Sequence, residues 1–295
     1  MKLWRNCHRN PFDFGKAYWK KFPMEVLSQQ SVAVMRGTVH GEKIRPSYAV
    51  RFARTDEEIL KALRLRFEVF NLELNEGLAS AHATGFDEDA FDAVCDHLIV
   101  VEQNSGDVVG TYRMQTGTTA GENLGYYGAC EFDFSPYESV RDQIVELGRA
   151  CVHRDHRSIA VISMLWKEIV RYALVNKARY LIGCSSLTSQ DPAHGLALYA
   201  RFQAEGNLAE ESFLTVPLPG FELEDVEPLA ECPPPPKLLR AYLGVGAKIC
   251  STPAIDREFG TIDFLTMIDC FNADETATGR FVERPNGIQG IRSSQ

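Results

Sequence analysis

Two charged residues, Glu146 and Arg149, lie within QIVELGRACV (143–152), an apolar stretch typical of a buried strand. A buried charge is costly unless it is paired. The chain then turns through the basic segment HRDHRS into an amphipathic helix. The first turn of a helix has free backbone N–H groups, which suit an anionic or carbonyl-bearing ligand. We therefore expect residues 143–163 to form the reactive centre that the rest of the chain positions.

Further charged residues fall where a core is expected. Arg66 lies on the apolar face of a predicted helix, and Arg113 lies within a predicted strand. The acidic segment FDEDAFD supplies Asp89 and Asp92. Because buried charges need partners, one arrangement is a network in which the arginines meet this acidic loop, with Glu146 at a cleft. The alternative is a set of ion pairs that fixes the loop and takes no part in chemistry.

The spacing of Glu146 and Arg149 raises a geometric problem. Side chains alternate between the two faces of a regular strand, so residues three apart lie on opposite faces. Both can face one cleft only if the strand contains a β-bulge. Gly148 lies between them and is a residue at which a bulge is tolerated. We predict a bulge there.

The hydrophobic pattern predicts one mixed α/β domain over residues 46–280, with no internal repeat and no second core. A capping box, Thr55 to Glu58, is expected to begin the first helix. Strands are expected at 47–53, 97–103, 107–116, 143–152 and 178–186 and in AKICS and TIDFLTMID. Further helices are expected at 159–175 and 191–206 and in KLLRAYLGVG.

Three segments are expected to lack a strand or a long helix. Residues 117–128 are Gly-rich and polar, which predicts an exposed loop. Residues 207–236 end in CPPPP and are predicted to be irregular, because proline disrupts helix and strand interiors. Residues 281–295 are expected to be frayed. Within the helix 159–175, the spacing assigns Ile162 and Leu174 to the buried face.

The charge is unevenly distributed along the chain. Residues 1–45 contain nine basic and three acidic side chains, whereas the remainder contains 22 basic and 37 acidic ones. This basic arm is also rich in aromatic residues, which suits a membrane surface or an acidic carrier protein. Packing of these aromatics on the domain is the alternative. The acidic body argues against nucleic acid as a partner.

Cysteine and histidine spacing indicates neither disulfides nor a metal site. The eight cysteines are scattered and include no CxxC pair, so we expect reduced thiols in a cytoplasmic protein. Cys151 and Cys184 lie in apolar strands, which favours inert buried thiols over nucleophiles. His153 and His156 have no further ligand at the usual spacing. No apolar run long enough to cross a membrane, and no signal peptide, is apparent.

The charged positions and several longer segments resemble a known family. The sequence resembles the lyso-ornithine-lipid synthases, which are N-acyl amino acid synthases of the GNAT superfamily often labelled hemolysin-like, and more distantly the acyl-homoserine-lactone synthases. The resemblance covers about residues 50–272 and excludes the arm. It rests on Arg66-Phe-Glu-Val-Phe70, Asp89, Asp92, Arg113, Glu146-Leu-Gly-Arg149, FDAVCDHLIVVEQNSGDVVGTYRMQT, ELGRACVHRDHRS, YLIGCSSL and PPKLLRAYLGVGAKICSTPAIDREFGTIDFL.

The resemblance implies a GNAT-like fold and an N-acyltransferase. Such an enzyme moves a fatty acyl group, often 3-hydroxyacyl, from acyl carrier protein to the α-amine of an amino acid, most commonly ornithine. No cofactor of the enzyme's own is implied, because the donor carries the phosphopantetheine. An acyl-homoserine-lactone synthase, a CoA-dependent acyltransferase of another amine, and a non-enzymatic membrane-associated protein remain alternatives. Association with the inner membrane through the arm is a further expectation.

Site roles follow from this implied reaction. The acceptor amine must lose a proton, and Glu146 is the candidate base. A backbone N–H near Val152 would stabilise the thioester oxyanion. The acceptor is expected to contact Arg66, Phe70, Asp89, Asp92, Arg113 and Arg149. The phosphopantetheine and its carrier are expected to contact His153, Arg154, Arg157, Ser158, Ile159, Ala160 and Val161. Because RSIA (157–160) has no glycine where the family has a Gly-rich phosphate turn, we favour a carrier-protein donor over free CoA.

Overall fold

A mixed sheet of eight strands runs through the computed structural model, which describes residues 46–270. The strand order is β1-β2-β3-β4-β5-β8-β6, and β7 pairs with β8 beside β6. The basic arm and the tail beyond residue 270 lie outside the described residues, as do the predictions made for them. The strands are β1 (Tyr48–Phe52), β2 (Asp96–Glu102), β3 (Val108–Thr116), β4 (Ile144–Val152), β5 (Tyr180–Leu187), β6 (Lys248–Ile249), β7 (Ala254–Asp256) and β8 (Thr261–Asp269).

Helices cover both faces of this sheet. Leu98 of β2 packs in one core with the long central helix, whereas its neighbour Ile99 packs in another with the first helix. Because adjacent strand residues point to opposite faces, these two helices lie on opposite sides of the sheet. The α-helices are α1 (Asp56–Phe67), α2 (Ala81–Thr84), α3 (Gly117–Glu122), α4 (Ile159–Val175), α5 (Pro192–Ala204) and α6 (Lys237–Gly244). The predicted mixed α/β fold is confirmed.

Helix α1 delivers Arg66 to the core. Thr55 caps the helix by accepting a hydrogen bond from the Glu58 N–H. Only half of the predicted capping box forms, because the Glu58 carboxylate binds Arg51 and the Arg54 N–H instead. Helix α1 continues directly into a π-helix, Glu68–Glu73.

Strand β4 changes partners along its length, which creates the central gap of the fold. It is antiparallel to β3 throughout but parallel to β5 only at Ile144–Glu146. At Gly183 the two strands are still so close that a Cβ would lie 2.2 Å from the Leu147 carbonyl oxygen. Beyond this point β4 and β5 are unpaired, and a cavity lies between them.

Two predictions from local sequence are wrong. Residues 117–128 are not an exposed loop: they contain α3, and Gly117 approaches the Arg141 carbonyl so closely that a Cβ would lie 1.8 Å from its oxygen. Glycine there permits backbone contact and does not mark flexibility. On α4, Ile162 and Leu174 are exposed, because the helix packs on the sheet through a narrower stripe. None of the helices within residues 46–270 has the length and hydropathy needed to cross a bilayer.

Candidate active site

Glu146 lies at the end of the paired part of β4, where the cavity begins. Its side chain is only 5% exposed, and three hydrogen-bond donors fix its carboxylate. Oε2 accepts from Gln115 Nε2 at 2.6 Å and from the Tyr127 N–H at 2.9 Å, and Oε1 accepts from the Gly128 N–H at 2.8 Å. The carboxylate is therefore fixed in position at one wall of the cavity.

The protonation of Glu146 reflects two opposing effects. Burial raises the pKa of the carboxyl, whereas the hydrogen bonds from Gly128, Gln115 and Tyr127 lower it, and the net direction is upward. A carboxylate with a raised pKa is a stronger base than an exposed glutamate. Such a group in a cavity is suited to accept a proton from a bound substrate.

The predicted bulge is present in β4, and it turns Arg149 toward the cavity. The register shifts by one residue between the pairs Thr111–Cys151 and Arg113–Gly148. The left-handed residue is Arg149 itself, with φ 50°, and not Gly148. A positive φ is unfavourable for a residue with a Cβ. The bulge therefore places Glu146 and Arg149 on the same cavity, which a regular strand would not allow.

Arg149 is held by aromatic rings and carboxylates. Its guanidinium lies 4.7 Å from the ring centroids of both Tyr127 and Phe259. Nη1 donates to the Tyr127 hydroxyl at 3.1 Å, and Nη2 donates to Asp89 Oδ2 at 3.0 Å. Its Nε lies 3.2 Å from Asp87 Oδ1. These contacts compensate for the conformation of its backbone.

Arg66 and Arg113 join the same ion network, so the predicted pairing of arginines with the acidic loop is present. Arg66, 1% exposed, reaches Asp87 Oδ1 through Nε at 2.7 Å and Asp92 Oδ1 through Nη1 at 2.6 Å. Arg113 Nη1 donates to Asp89 Oδ1 at 2.6 Å and to Asp92 Oδ1 at 3.0 Å. Three arginines, counting that of the bulge, thus face three aspartates, which balances their formal charge.

The cavity has a volume of about 700 Å³ and brings only some predicted site residues together. Glu146, Val152, Phe70, Arg113 and Arg149 line it, as does Arg157. The other three predicted acceptor contacts do not line the cavity and take part in the ion network instead: they are Arg66, Asp89 and Asp92.

The cavity has two chemically different parts. One part lies under α4 and α6 and is mainly apolar; its polar groups include the hydroxyls of Tyr112 and Tyr242, which are 2.7 Å apart, and the side chains of Arg157 and Lys237. The other part is polar and lies along β5, β7 and β8. The apolar part is lined by Leu147, Ile162, Leu165, Trp166, Leu181, Leu238, Leu239, Ala247 and Ile268. The polar part is lined by Glu76, Cys184, Ser185, Ser186, Thr188, Asp256 and Asp263.

Val152 has a backbone orientation that suits an oxyanion donor. The His153 N–H donates to the Val109 carbonyl at 2.8 Å, which makes Gly110–Val152 a non-hydrogen-bonded pair of the ladder. The Val152 N–H and C=O therefore point away from β3, toward the unpaired side of β4. Its carbonyl accepts from Arg157 Nε at 3.0 Å.

The start of α4, which the sequence analysis assigned to the phosphopantetheine and its carrier, is exposed. Ser158 caps the helix by accepting from the Val161 N–H at 3.3 Å, and both Ile159 and Ala160 are exposed. Val161 is buried in the core under the sheet. Two members of the predicted set, His153 and Arg154, line a shallow depression of about 240 Å³ beside the π-helix.

Arg157 is less free for a carrier protein than the sequence indicates. Its side chain is 42% exposed, but its two terminal nitrogens bind the Glu73 carboxylate at 2.6 and 2.8 Å. It therefore links the π-helix to the turn before α4.

Sequence reasoning missed the residues that hold Glu146, namely Gln115, Tyr127 and Gly128. Two of them act through backbone N–H groups, which leave no signal in residue type. Asp87 was also missed as a member of the ion network, although FDEDAFD contains it.

Comparison with known proteins identifies the family. A family model described as an acetyltransferase (GNAT) domain matches residues 65–167. The L-ornithine N(alpha)-acyltransferase of Agrobacterium fabrum is 33% identical over 253 residues, which cover 80% of this chain and 84% of that protein. That of Rhodobacter capsulatus is 30% identical over 251 residues, covering 82% and 97%. The chain belongs to the L-ornithine N(alpha)-acyltransferase family. It is an acyltransferase, as the resemblance implied.

Two solved structures are similar to this chain at low sequence identity. The AHL synthase LasI matches with a TM-score of 0.48 and 14% identity, covering 82% of this chain and 100% of that one. FeeM, an N-acyl amino acid synthase from uncultured soil microbes, matches with a TM-score of 0.47 and 9% identity, covering 78% and 95%. In this acyltransferase, the GNAT match runs from the last turn of α1 to the middle of α4 and so contains Glu146 and the bulge.

Proposed function

We propose that this acyltransferase moves a fatty acyl group from the phosphopantetheine thioester of acyl carrier protein to the α-amine of ornithine. The observation that carries the proposal is the single cavity with an apolar part, a polar part and the Glu146 carboxylate beside the gap between β4 and β5. The apolar part suits an acyl chain, and the polar part suits an amino acid. The names of the relatives support ornithine as the acceptor.

The reaction needs a base, an oxyanion donor and alignment. Glu146 takes a proton from the α-ammonium group, directly or through water, and the free amine attacks the thioester carbon. The Val152 N–H stabilises the oxyanion of the tetrahedral intermediate. Collapse of this intermediate breaks the C–S bond and forms the amide: the departing thiolate takes up the proton held by Glu146, and the attacking nitrogen gives its second proton to water. The amine and thioester react once they are aligned, so no acyl-enzyme is required.

The cysteines near the cavity support this direct mechanism. Burial raises the pKa of the Cys151 and Cys184 thiols well above their usual range. A thiol that stays protonated is a poor nucleophile. Direct attack by the acceptor amine therefore remains the simpler route.

Two features support the finer choice of donor. The turn before α4 exposes Arg154, leaves His153 half-buried, and has no glycine for close approach of a CoA phosphate, which favours an acidic carrier protein. The hydroxyls of Tyr112 and Tyr242 lie within the apolar part of the cavity, where they supply hydrogen-bonding atoms for a 3-hydroxyl group. We therefore include a 3-hydroxyacyl chain in the proposal.

The test is acyl transfer by the purified full-length chain. Ornithine is incubated with 3-hydroxyacyl carrier protein, with the matching acyl-CoA, or with the carrier protein and S-adenosylmethionine, and the products are identified by mass spectrometry. We expect N-acylornithine, formed faster from the carrier-protein thioester. A lactone would indicate the homoserine-lactone alternative, and absence of any N-acylated amino acid would refute the proposal.

Glu146→Gln tests the base. We expect kcat to fall by about 10²–10⁴-fold, the usual range for general acid–base catalysis. Glu57→Gln, at an exposed position of α1, is the matched control and should keep wild-type activity. Unchanged kcat in Glu146→Gln would show that this carboxylate is not the base.

We also propose that the basic arm, residues 1–45, binds an anionic membrane surface. Its support is the excess of basic over acidic residues together with six aromatic residues before residue 23. Partition of the full chain and of a chain lacking residues 1–45 into vesicles containing phosphatidylglycerol tests this. Equal partition of both chains would refute it.

A further inference from the structure

A second group of carboxylates, distinct from the ion network, lies at the cavity: Asp263 is part of its lining, and Glu131 lies directly beside Asp263. Asp263 lies on β8, paired with Ser186 of β5, and Glu131 follows the 3-10 turn Gly128–Cys130. Both are almost fully buried, at 4% and 3% exposure. Asp256 and Glu76 line the same polar part of the cavity.

In the described part of the chain, these carboxylates have no cationic partner, although the Glu131 and Asp263 carboxyls hydrogen-bond each other. Among the ion pairs within residues 46–270, none involves any of the four. Oε2 of Glu131 and Oδ1 of Asp263 are buried without a hydrogen-bond partner. Unpartnered buried carboxylate oxygens are rare and costly. Two of them side by side at the edge of a cavity point to a ligand that is itself a cation and a hydrogen-bond donor.

This cluster is connected to the proposed base. The Gly128 N–H donates to Glu146, and the Glu131 N–H donates to the Gly128 carbonyl at 3.1 Å. The same short turn therefore positions both carboxylates. Glu146 and Asp263 also line the same cavity, so one small molecule can reach both groups.

Electrostatics within the cluster favour cation binding. Burial, together with the Asp263 and Asp256 carboxylates, raises the pKa of Glu131 well above its usual range. Burial also raises the pKa of Asp263 to about 6. Arg149, which lowers the pKa of Glu131, is already paired with two aspartates of the ion network. A bound cation would stabilise the ionised forms of both carboxyls.

We propose that Glu131 and Asp263 bind the side-chain ammonium group of the acyl acceptor, so that the enzyme selects a diamino acid over a neutral one. This rests on the proposed function, which requires an amino acid in the same cavity. Asp89 and Asp92, which the sequence analysis placed among the acceptor contacts, do not offer a free carboxylate for such a second amine, because arginines occupy both. Asp256 and Glu76 add negative charge around the proposed subsite.

A metal ion is the competing occupant. A carboxylate oxygen of Glu131, one of Asp263 and the Cys184 sulfur lie within 4.8 Å of one another, which would suit a small cation. Burial raises the pKa of the Cys184 thiol, so a metal would have to displace its proton. An ammonium group needs only the carboxylate oxygens. The geometry therefore favours the amine.

The test compares ornithine with norvaline, which has the same carbon chain but no side-chain amine. Binding to the full-length wild-type chain is measured by calorimetry, and kcat/KM is measured for both acceptors with one acyl donor. We expect ornithine to be preferred by about 100-fold or more, since a buried polar site rejects a ligand that leaves it unpaired. Asp263→Asn should lower that preference at least about 10-fold, equivalent to ~1.4 kcal/mol, chiefly by raising KM for ornithine.

Asp269→Asn is the matched control, because it lies on the same strand, outside the cavity, and binds Arg179. It should keep the wild-type preference. Equal wild-type binding of ornithine and norvaline would refute the subsite and leave acyl transfer intact, whereas tight ornithine binding without acyl transfer would refute the proposed function alone. Equal losses for both acceptors in Asp263→Asn, or loss of ornithine binding after treatment with EDTA, would also overturn the amine subsite.

Discussion

Asp92→Asn gives the sharpest test of the ion network, because it removes one charge and keeps the shape of the side chain. Asp92 accepts from Arg66 Nη1 at 2.6 Å and Nη2 at 3.1 Å, and from Arg113 Nη1 at 3.0 Å. Its Oδ2 also accepts from the Asp89 N–H at 2.8 Å, which fixes the acidic loop. The substitution leaves three buried arginines facing two aspartates.

The expected loss of stability is large. Breaking a buried ion pair by removing one partner costs about 3–5 kcal/mol, since a charge is left buried and uncompensated. Domains are usually stable by about 5–15 kcal/mol. Urea unfolding at pH 7 should therefore show a much lower midpoint for Asp92→Asn. Glu68→Gln removes the exposed pair with Arg64 and should cost less than about 1 kcal/mol.

The pH dependence provides a second check on the same variant. Arg66 and Arg113 hold the pKa of Asp92 far below its usual range, despite burial. A carboxylate whose pKa is lower in the folded state than in the unfolded chain stabilises the fold at pH values above its unfolded pKa of about 4. This stabilisation is lost as pH falls from about 4 toward the folded-state pKa. The difference between the wild type and Asp92→Asn should therefore narrow below pH of about 4. A loss under ~1 kcal/mol at pH 7, or a difference that stays constant in acid, would refute the charge argument.

Four further predictions concern the cavity. Because burial raises the pKa of Glu146, kcat/KM should rise with pH as this carboxyl ionises. Glu146→Gln should abolish this rise, which a pH–rate profile of both proteins measures. Gly183→Ala should destabilise the fold by about 1–3 kcal/mol, since its Cβ would meet the Leu147 carbonyl. Gly148→Ala, whose Cβ meets nothing within 4 Å, should unfold like the wild type in urea but lose activity through the filled cavity. Burial raises the folded-state pKa of Asp263 to about 6, so the wild-type fold loses stability as pH rises from about 4 through 6 and this carboxyl ionises. Asp263→Asn should therefore match the wild type near pH 4 and be more stable than it at pH 8, by up to ~3 kcal/mol. Thermal unfolding at the two pH values measures the difference.

Local rules predicted several features of the site correctly. Helical spacing placed Arg66 on the buried face of α1, and it is almost fully buried. Strand alternation required a bulge between Glu146 and Arg149, and the register shift confirms it. These predictions succeeded because helix and strand periodicity act over a few residues, which one sequence displays directly.

The pairing of distant residues could not be predicted in the same way. The chain has several buried carboxylates, in the acidic loop and elsewhere. Residue type alone does not show which of these carboxylates bind arginines and which have no cationic partner. Asp89 and Asp92 are neutralised by arginines from three separate elements, whereas Glu131 and Asp263 are not. The answer depends on strand register and on loops that meet in space.

The amino-acid sequence by itself determined the kinds of charge in this protein, the helix faces that carry them and the need for a bulge in β4. Only the tertiary structure decided where the strain of that bulge falls, because the extra residue of the register shift takes the left-handed conformation at Arg149 and not at Gly148. It also decided that backbone N–H groups of the turn at Tyr127 and Gly128 hold Glu146, and that Glu131 and Asp263 meet at the cavity without a cationic partner among residues 46–270. The physical reason is that backbone amides and buried charges acquire their roles from neighbours that are distant in sequence.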